Sequence, residues 1–289
     1  MSFYTRLAMR MFYSHTNSVA PYFSDLKSDM KKAKMKYSIP EYLSLALLTS
    51  LLVFLFELPL LSFIFGLVLQ IFLFSFISAF TVSIFATIGL FMFFVNYPKY
   101  IIMERAKKID ESLPFASIYM ATLAGSQLPL NKQFSIFSKF SEYKEVNEEI
   151  NEINQDVQLF GLDINTALER AVERTPSKNL KEILWGMLSV TRSGGDLEVF
   201  LNEKAKTFLN ENRRKIYEFS HQLTVYIEIY LTAIVLGAIF FTILTAITSG
   251  ISGSGASVLP VQALVIFVFL PVISFIFIGL IKSATPGDE

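Results

Sequence analysis

Two long apolar blocks bracket a charged segment with a helical beat. Residues 42–96 contain one charged side chain, Glu57, and residues 223–281 contain only Glu228. Each block far exceeds the ~20 apolar residues that carry an α-helix across a hydrocarbon core, so each predicts two spans. The first block divides near Glu57, Pro59 or Gln70, giving spans around 41–63 and 72–96. On that division Glu57 falls near the far interface. The second block divides at a Gly/Ser-rich loop, 249–258, into spans 223–248 and 259–281, the latter beginning near Pro260 and containing Pro271. Glu228 sits one to two turns into the third span, where it snorkels to the headgroups or bonds a neighbouring span, and Tyr226 and Tyr230 beside it fit an aromatic belt.

Between the blocks the apolar period is 3.6. Val146, Ile150, Ile153, Val157 and Phe160 step by 4, 3, 4 and 3; Leu180, Ile183, Leu184, Met187 and Leu188 mark a second helix; Leu197, Leu201, Ala205 and Phe208 mark a third. No period-2 run occurs, which predicts an all-α bundle. Asp163 is placed to cap a helix from Ile164, Pro176 to stop it and Ser177 to start the next. Gly194 and Gly195 are expected to end the 178–192 helix in a left-handed turn, with Asp196 capping its successor. That successor runs from Leu197 past Arg213, Arg214 and Lys215 into the third span without a breaker, so it could transmit a push.

Charge adds orientation. Residues 98–222 hold 17 Lys or Arg and 18 Asp or Glu, out of 25 and 25 in the chain. The first 40 residues carry seven basic side chains and Pro98–Lys108 adds four more, whereas Ser249–Leu259 has none. The positive-inside rule then places the N-terminus (1–40), the helical domain (97–222) and the tail (282–289) in the cytoplasm and the Gly/Ser loop outside. The expected fold is an all-α polytopic membrane protein, with four transmembrane helices and a cytoplasmic helical bundle between the second and third. A hydrophobic content of 53% and a mean hydropathy of +0.48 agree with it.

Composition also narrows the chemistry. Zero net charge argues against nucleic acid as partner. Zero Cys removes disulfides, thiolate metal sites and cysteine nucleophiles, and two His leave no His-rich metal site. No P-loop, dinucleotide fingerprint or zinc-protease motif is present, so no catalytic residue, metal or cofactor is expected and ATP is not held in the P-loop manner. His221, just before the third span, reads as a juxtamembrane residue. Glu142, Glu145, Glu148, Glu149, Glu152 and Asp156 share helix faces and read as a solvated surface; calcium or magnesium binding and docking of a basic partner stay open beside it. At the N-terminus, Phe3, Leu7 and Met11 fall at i, i+4, i+8 beside Arg6 and Arg10. That is the pattern of a helix in a headgroup layer; a plain positive flank and a mitochondrial presequence are the other readings. The first apolar run long enough for a secretory signal starts only after Glu41, so no signal peptide is expected.

Tyr97-Pro98, Arg105, Ile109-Asp110 and Leu113-Pro114 open the charged segment. Arg174-Thr175-Pro176-Ser177 follows, then Gly194-Gly195-Asp196-Leu197 with Leu201. In this order and between these spans, they resemble the F family of type II secretion proteins, over roughly residues 97–248. The resemblance is nearest to the single-module archaellum, type IV pilus and tight-adherence members. It implies a non-enzymatic platform in the cell membrane whose helical domain docks on a cytoplasmic hexameric secretion ATPase and whose spans meet pilin-like subunits in the lipid bilayer. Many relatives carry the module twice, so one copy implies a homodimer or a heterodimer with a paralogue. The partner-binding candidates it suggests are Asp110, Pro114, Arg174, Pro176, Gly194, Gly195 and Asp196. The rival readings are a multispanning transporter, which would need polar groups along the spans, and a membrane signalling protein with a helical partner-binding domain.

Overall fold

A computed structural model describes residues 3–126, 128–140, 142–252, 260 and 263–284. Among the described residues the regular elements are helical and no strand occurs. Four helices are long and apolar enough to cross a membrane: Ile39–Val68, Phe72–Ala124, Leu197–Ile251 and Val265–Lys282. The protein is therefore all-α and polytopic. It divides into two compact units, Met1–Asn202 and Glu203–Glu289.

The first unit begins with α1 (Phe3–Val19), a 3-10 turn (Ala20–Phe23) and α2 (Ser24–Lys32), followed by a hairpin of α3 (Ile39–Leu69) and α4 (Phe72–Ala124). A capping box starts α3: Ser38 Oγ accepts the Glu41 N–H at 3.4 Å and Glu41 Oε2 accepts the Ser38 N–H at 2.7 Å. The hairpin turns at Gln70, which takes a left-handed φ of 54°. Of the three positions the sequence offers for this break, the structure uses the last. Pro59 is carried inside α3, where it removes one backbone donor without ending the helix. Glu57 consequently lies within the helix, over three turns before Gln70. Ser75 Oγ staples the hairpin by donating to the carbonyls of Phe65 and Ile71 at 3.1 and 2.8 Å.

Below the hairpin's uncovered portion, Leu26 and Met30 of α2 pack on Tyr42 and Leu43, with Phe91 and Phe94 alongside. Helix α1 lies on α3 through Thr5, Ala8 and Thr16, all buried. The Leu7 and Met11 stripe singled out in the sequence faces away from this seam.

The rest of the unit is α5 (Leu130–Phe137), α6 (Lys144–Gln158), α7 (Ile164–Arg174), α8 (Lys178–Ser193) and the first residues of α9 (Leu197–Ile229). Ile109 and Leu113 of α4 share the core with Val146, Ile150 and Ile153 of α6 and with Leu180, Ile183, Leu184 and Met187 of α8. The apolar beat on α6 holds through Ile153 and then fails. Phe160 falls past the helix end, in a turn made by Gly161 at φ 68°, and is 70% exposed. Asp163 and Ser177 cap α7 and α8 as their positions predict, each accepting a backbone N–H at 3.0 Å.

The second unit holds the remainder of α9, a π-helical stretch Tyr230–Leu236 and α10 (Gly237–Ser252), then a second π-helical stretch Val265–Phe269 and α11 (Leu270–Ala284). The helix expected to run unbroken into the third span is continuous in helical conformation, but seven of its residues wind with the wider π repeat. Tyr230 OH and Ser274 Oγ are hydrogen-bonded at 3.0 Å, and the Tyr230 ring sits 4.9 Å from that of Phe277, so this tyrosine joins two apolar helices. A cavity of about 360 Å³ between these helices is lined by Ile234, Gly237, Phe241 and Ile273. The loop expected at 249–258 starts later, since α10 continues to Ser252; residues 253–259, 261–262 and the tail 285–289 lie outside the described residues.

Candidate functional site

The seven residues singled out in the sequence fall into two places, at opposite ends of α8. Sixteen helical residues separate Ser177 from Gly194, a distance of about 24 Å at 1.5 Å per residue.

At the N-terminal end of α8, Ser177 Oγ donates to Asp110 Oδ1 of α4 at 2.5 Å while accepting the Leu180 N–H at 3.0 Å. The hydroxyl is used on both sides. It also places a carboxylate beside the positive end of a helix, where negative charge is favoured. Pro114, one turn after Asp110, is buried and has no N–H to offer the Asp110 carbonyl. Arg174 is the last residue of α7: its Nη1 donates to Asp156 Oδ2 at 2.8 Å and its Nε lies 3.0 Å from Glu152 Oε2. Thr175 is extended, with Pro176 next, so the chain leaves α7 and enters α8 with little slack. Asp110 and Arg174 are thus held by contacts within the chain, and Pro114 is buried beside them.

The other end is different. Gly194, Gly195 and Asp196 are all exposed. Gly194 takes φ 70° and the Gly195 N–H returns to the Val190 carbonyl at 3.0 Å, which closes a Schellman motif. The left-handed residue is Gly194 alone; Gly195, expected to share that conformation, has no positive φ. A Schellman motif needs one left-handed residue, and Gly194 supplies it. Asp196 Oδ1 accepts the Val199 N–H at 3.1 Å and starts α9.

The acidic face of α6 corrects the sequence reading most. Glu149 is fully buried and Asp156 nearly so. Glu149 Oε1 receives Arg105 Nη2 at 2.8 Å and Lys34 Nζ at 3.2 Å. Arg105 Nε also donates to Glu145 at 3.1 Å, and Lys34 Nζ reaches Glu152 at 2.7 Å and Glu148 at 3.5 Å. With Arg174 this makes three cations against five carboxylates, a network that is internal at Glu149 and Asp156 and opens to solvent at Glu148, with Glu142 left on the exposed face. Burying these carboxylates requires such partners. Among the described residues no group of acidic and histidine side chains is arranged to hold a metal ion. Next to the network, burial and the neighbouring Glu142 push the Tyr143 hydroxyl above its ordinary range.

Two cations of this network tie in the N-terminal segment, which no local sequence pattern links to the bundle. Arg105 Nη1 donates to the Lys32 carbonyl at 2.5 Å, satisfying an orphan acceptor at the end of α2. Lys34 sits one residue beyond the α2 C-cap with φ 53°, and the Met35 N–H bonds the Met30 carbonyl at 3.0 Å. This is a second Schellman motif, with lysine where glycine is usual. Arg105 belongs to the motif that opens the charged segment; its partners, 40 or more positions away, carry no local signal.

Residues 116–245 match the family model described as Type II secretion system (T2SS), protein F. An uncharacterized protein of Methanocaldococcus jannaschii is similar, with 26% identity over 202 residues that cover 67% of this chain and 33% of that protein. The chain thus spans about a third of that relative's length. No solved structure matches. The match takes in the last residues of α4, α5 to α9 and the start of α10, so residues 116–245 of this chain are similar to the Type II secretion system (T2SS) protein F family.

Proposed function

We propose that the chain is a non-enzymatic, multi-pass platform of the cell membrane, serving a type IV pilus-like, archaellum or type II secretion assembly. The observation that carries this reading is the family match, laid over a helical bundle that lies between pairs of membrane-crossing helices in the sequence. In this reading both termini and residues 97–222 are cytoplasmic, following the charge bias of the loops. A hexameric secretion ATPase docks on the bundle, and its stroke passes through the α9 helix to pilin-like subunits that are inserted or extracted. The chain contributes force transfer and no bond chemistry. A second copy or a paralogue supplies the paired module.

Within that scheme the exposed Gly194-Gly195-Asp196 turn is the docking element. Asp110, Pro114, Arg174 and Pro176 set the position of α8 that presents it. Crosslinking in native membranes, followed by purification in mild detergent, tests the proposal: a secretion-type ATPase and a pilin-like protein are expected among the crosslinked neighbours. Recovery of neither overturns it.

A further inference from the structure

The exposure of α3 changes abruptly at Leu51. Tyr42, Leu43, Ser44, Ala46, Leu48 and Ser50 are buried, whereas no side chain from Leu51 to Val68 is. Those uncovered residues rise about 27 Å at 1.5 Å each, close to the ~30 Å of a hydrocarbon core. The preceding turns, from Ile39 to Ser50, are surplus to the crossing, and they are the turns that α1 and α2 cover. The bilayer's hydrocarbon boundary therefore falls near Leu51.

Helix α1 descends from that boundary along α3. Tyr4 OH is hydrogen-bonded to Thr49 Oγ1 at 2.8 Å, and Thr16 Oγ1 to Ser44 Oγ at 2.9 Å and to the Pro40 carbonyl at 3.3 Å. Interpolating between these contacts puts Arg6 and Arg10 about 5 and about 8 Å outside the Leu51 plane, and a headgroup layer is roughly 5 to 8 Å thick on each side. Both arginines are exposed, and no carboxylate is paired with either among the described residues. No Asp or Glu precedes Asp25. Leu7 and Met11, 40% and 52% exposed, run beside them.

We propose that α1 is a binding strip for anionic phospholipid headgroups: Arg6 and Arg10 hydrogen-bond the phosphate oxygens while Leu7, whose side chain tilts toward the helix N-terminus and so toward the Leu51 plane, meets the acyl boundary. Its inner face of Thr5, Ala8 and Thr16 fixes the helix to α3, so the cations are presented at a set depth. This goes beyond the platform reading and does not depend on what the bundle docks.

The chain has no cysteine, so Leu7→Cys takes a single spin label in the full-length protein. It is placed in nanodiscs of phosphatidylcholine alone or of equal parts phosphatidylcholine and phosphatidylglycerol. With phosphatidylglycerol present, the label is expected to collide with oxygen and to be shielded from a water-soluble nickel chelate. Native mass spectrometry should then show phosphatidylglycerol retained in preference to phosphatidylcholine, the preference falling about fivefold per arginine removed in Arg6→Gln and Arg10→Gln. The charge-keeping pair Arg6→Lys/Arg10→Lys retains it. Folding of each variant is checked by the thermal transition of the single tryptophan, Trp185. A label open to nickel in the anionic discs overturns the proposal, as does equal lipid preference in the wild type and the Gln variants.

Discussion

Ser177 and Asp110, 67 positions apart, are joined by a 2.5 Å hydrogen bond that sets the first turn of α8 against α4. The serine is 1% exposed, so water does not replace either partner readily. Ser177→Ala removes the cap and leaves Asp110 facing a buried methyl, a loss of about 1 to 3 kcal/mol. Asp110→Ala leaves the cap in place and costs less, about 1 kcal/mol. Because the two share one bond, the double variant is less destabilised than the sum. Thermal unfolding of the full chain in detergent, followed through Trp185 fluorescence on α8, measures the coupling; strict additivity would show that the contact contributes nothing.

Arg105 makes the opposite kind of link, through charge. It is 8% exposed and bonds Glu145, Glu149 and the Lys32 carbonyl together. Arg105→Leu leaves a buried carboxylate with only Lys34 beside it and uncaps α2, a loss of about 3 to 5 kcal/mol. Arg105→Leu combined with Glu149→Leu removes both charges and is expected to recover a large part of that loss, because an ion pair exchanged for apolar groups of similar volume is often near neutral. Unfolding midpoints of the wild type and the two variants decide between a requirement for the charges and a requirement for the fit.

These two links show what the sequence could and could not carry. The four long apolar helices, the caps at Asp163 and Ser177 and the buried stripe of α8 follow from local composition and period, and the structure has them. The fate of the α6 carboxylates does not. A run of glutamates at i, i+3 and i+4 looks the same whether it faces water or faces Lys34, Arg105 and Arg174, and those cations come from three distant segments. The hairpin turn at Gln70 was ambiguous for a related reason: Pro59 and Glu57 are stronger local breakers, but α3 is long enough to absorb them. The motif residues at 110, 114, 174 and 176 were legible as a pattern, whereas the contacts that Asp110 and Arg174 make appear only once α4, α6, α7 and α8 are assembled.

Lys34 occupies a left-handed position and reaches three carboxylates. Lys34→Gly relieves the backbone and loses the charge; Lys34→Met keeps the backbone cost and loses the charge. The methionine variant is therefore expected to be less stable than the glycine variant by about 1 to 2 kcal/mol. Amide exchange of the last turn of α2 should follow the same order. Equal stability would mean that the left-handed geometry imposes no cost at this site.

At the end of α8 the two adjacent glycines should behave differently. Gly194→Val places a β-branched residue at φ 70° and is expected to cost more than about 1 kcal/mol, whereas Gly195→Val meets no such conformational demand. Unfolding in detergent separates them directly. In cells, filament or secretion output should be lost with Gly194→Val at normal membrane insertion. The reverse order would place the conformational constraint on Gly195 after all.

Gly186 is constrained by space and not by φ. A Cβ built there would stand 2.1 Å from Cζ of Phe200, a contact no real pair of atoms sustains. The ring from α9 thus lies directly on the α8 backbone at a position where only hydrogen fits. Gly186→Ala must push the ring aside, and the expected loss is about 1 to 3 kcal/mol, near the lower value because a phenyl group can swing away more easily than a backbone. Phe200→Leu alone opens space and weakens the same packing. Together the two substitutions should compensate, with Gly186→Ala/Phe200→Leu more stable than Gly186→Ala. If the double variant instead shows the sum of the single losses, the two residues do not compete for one volume, and the close approach of α8 and α9 at this point is not what glycine is needed for.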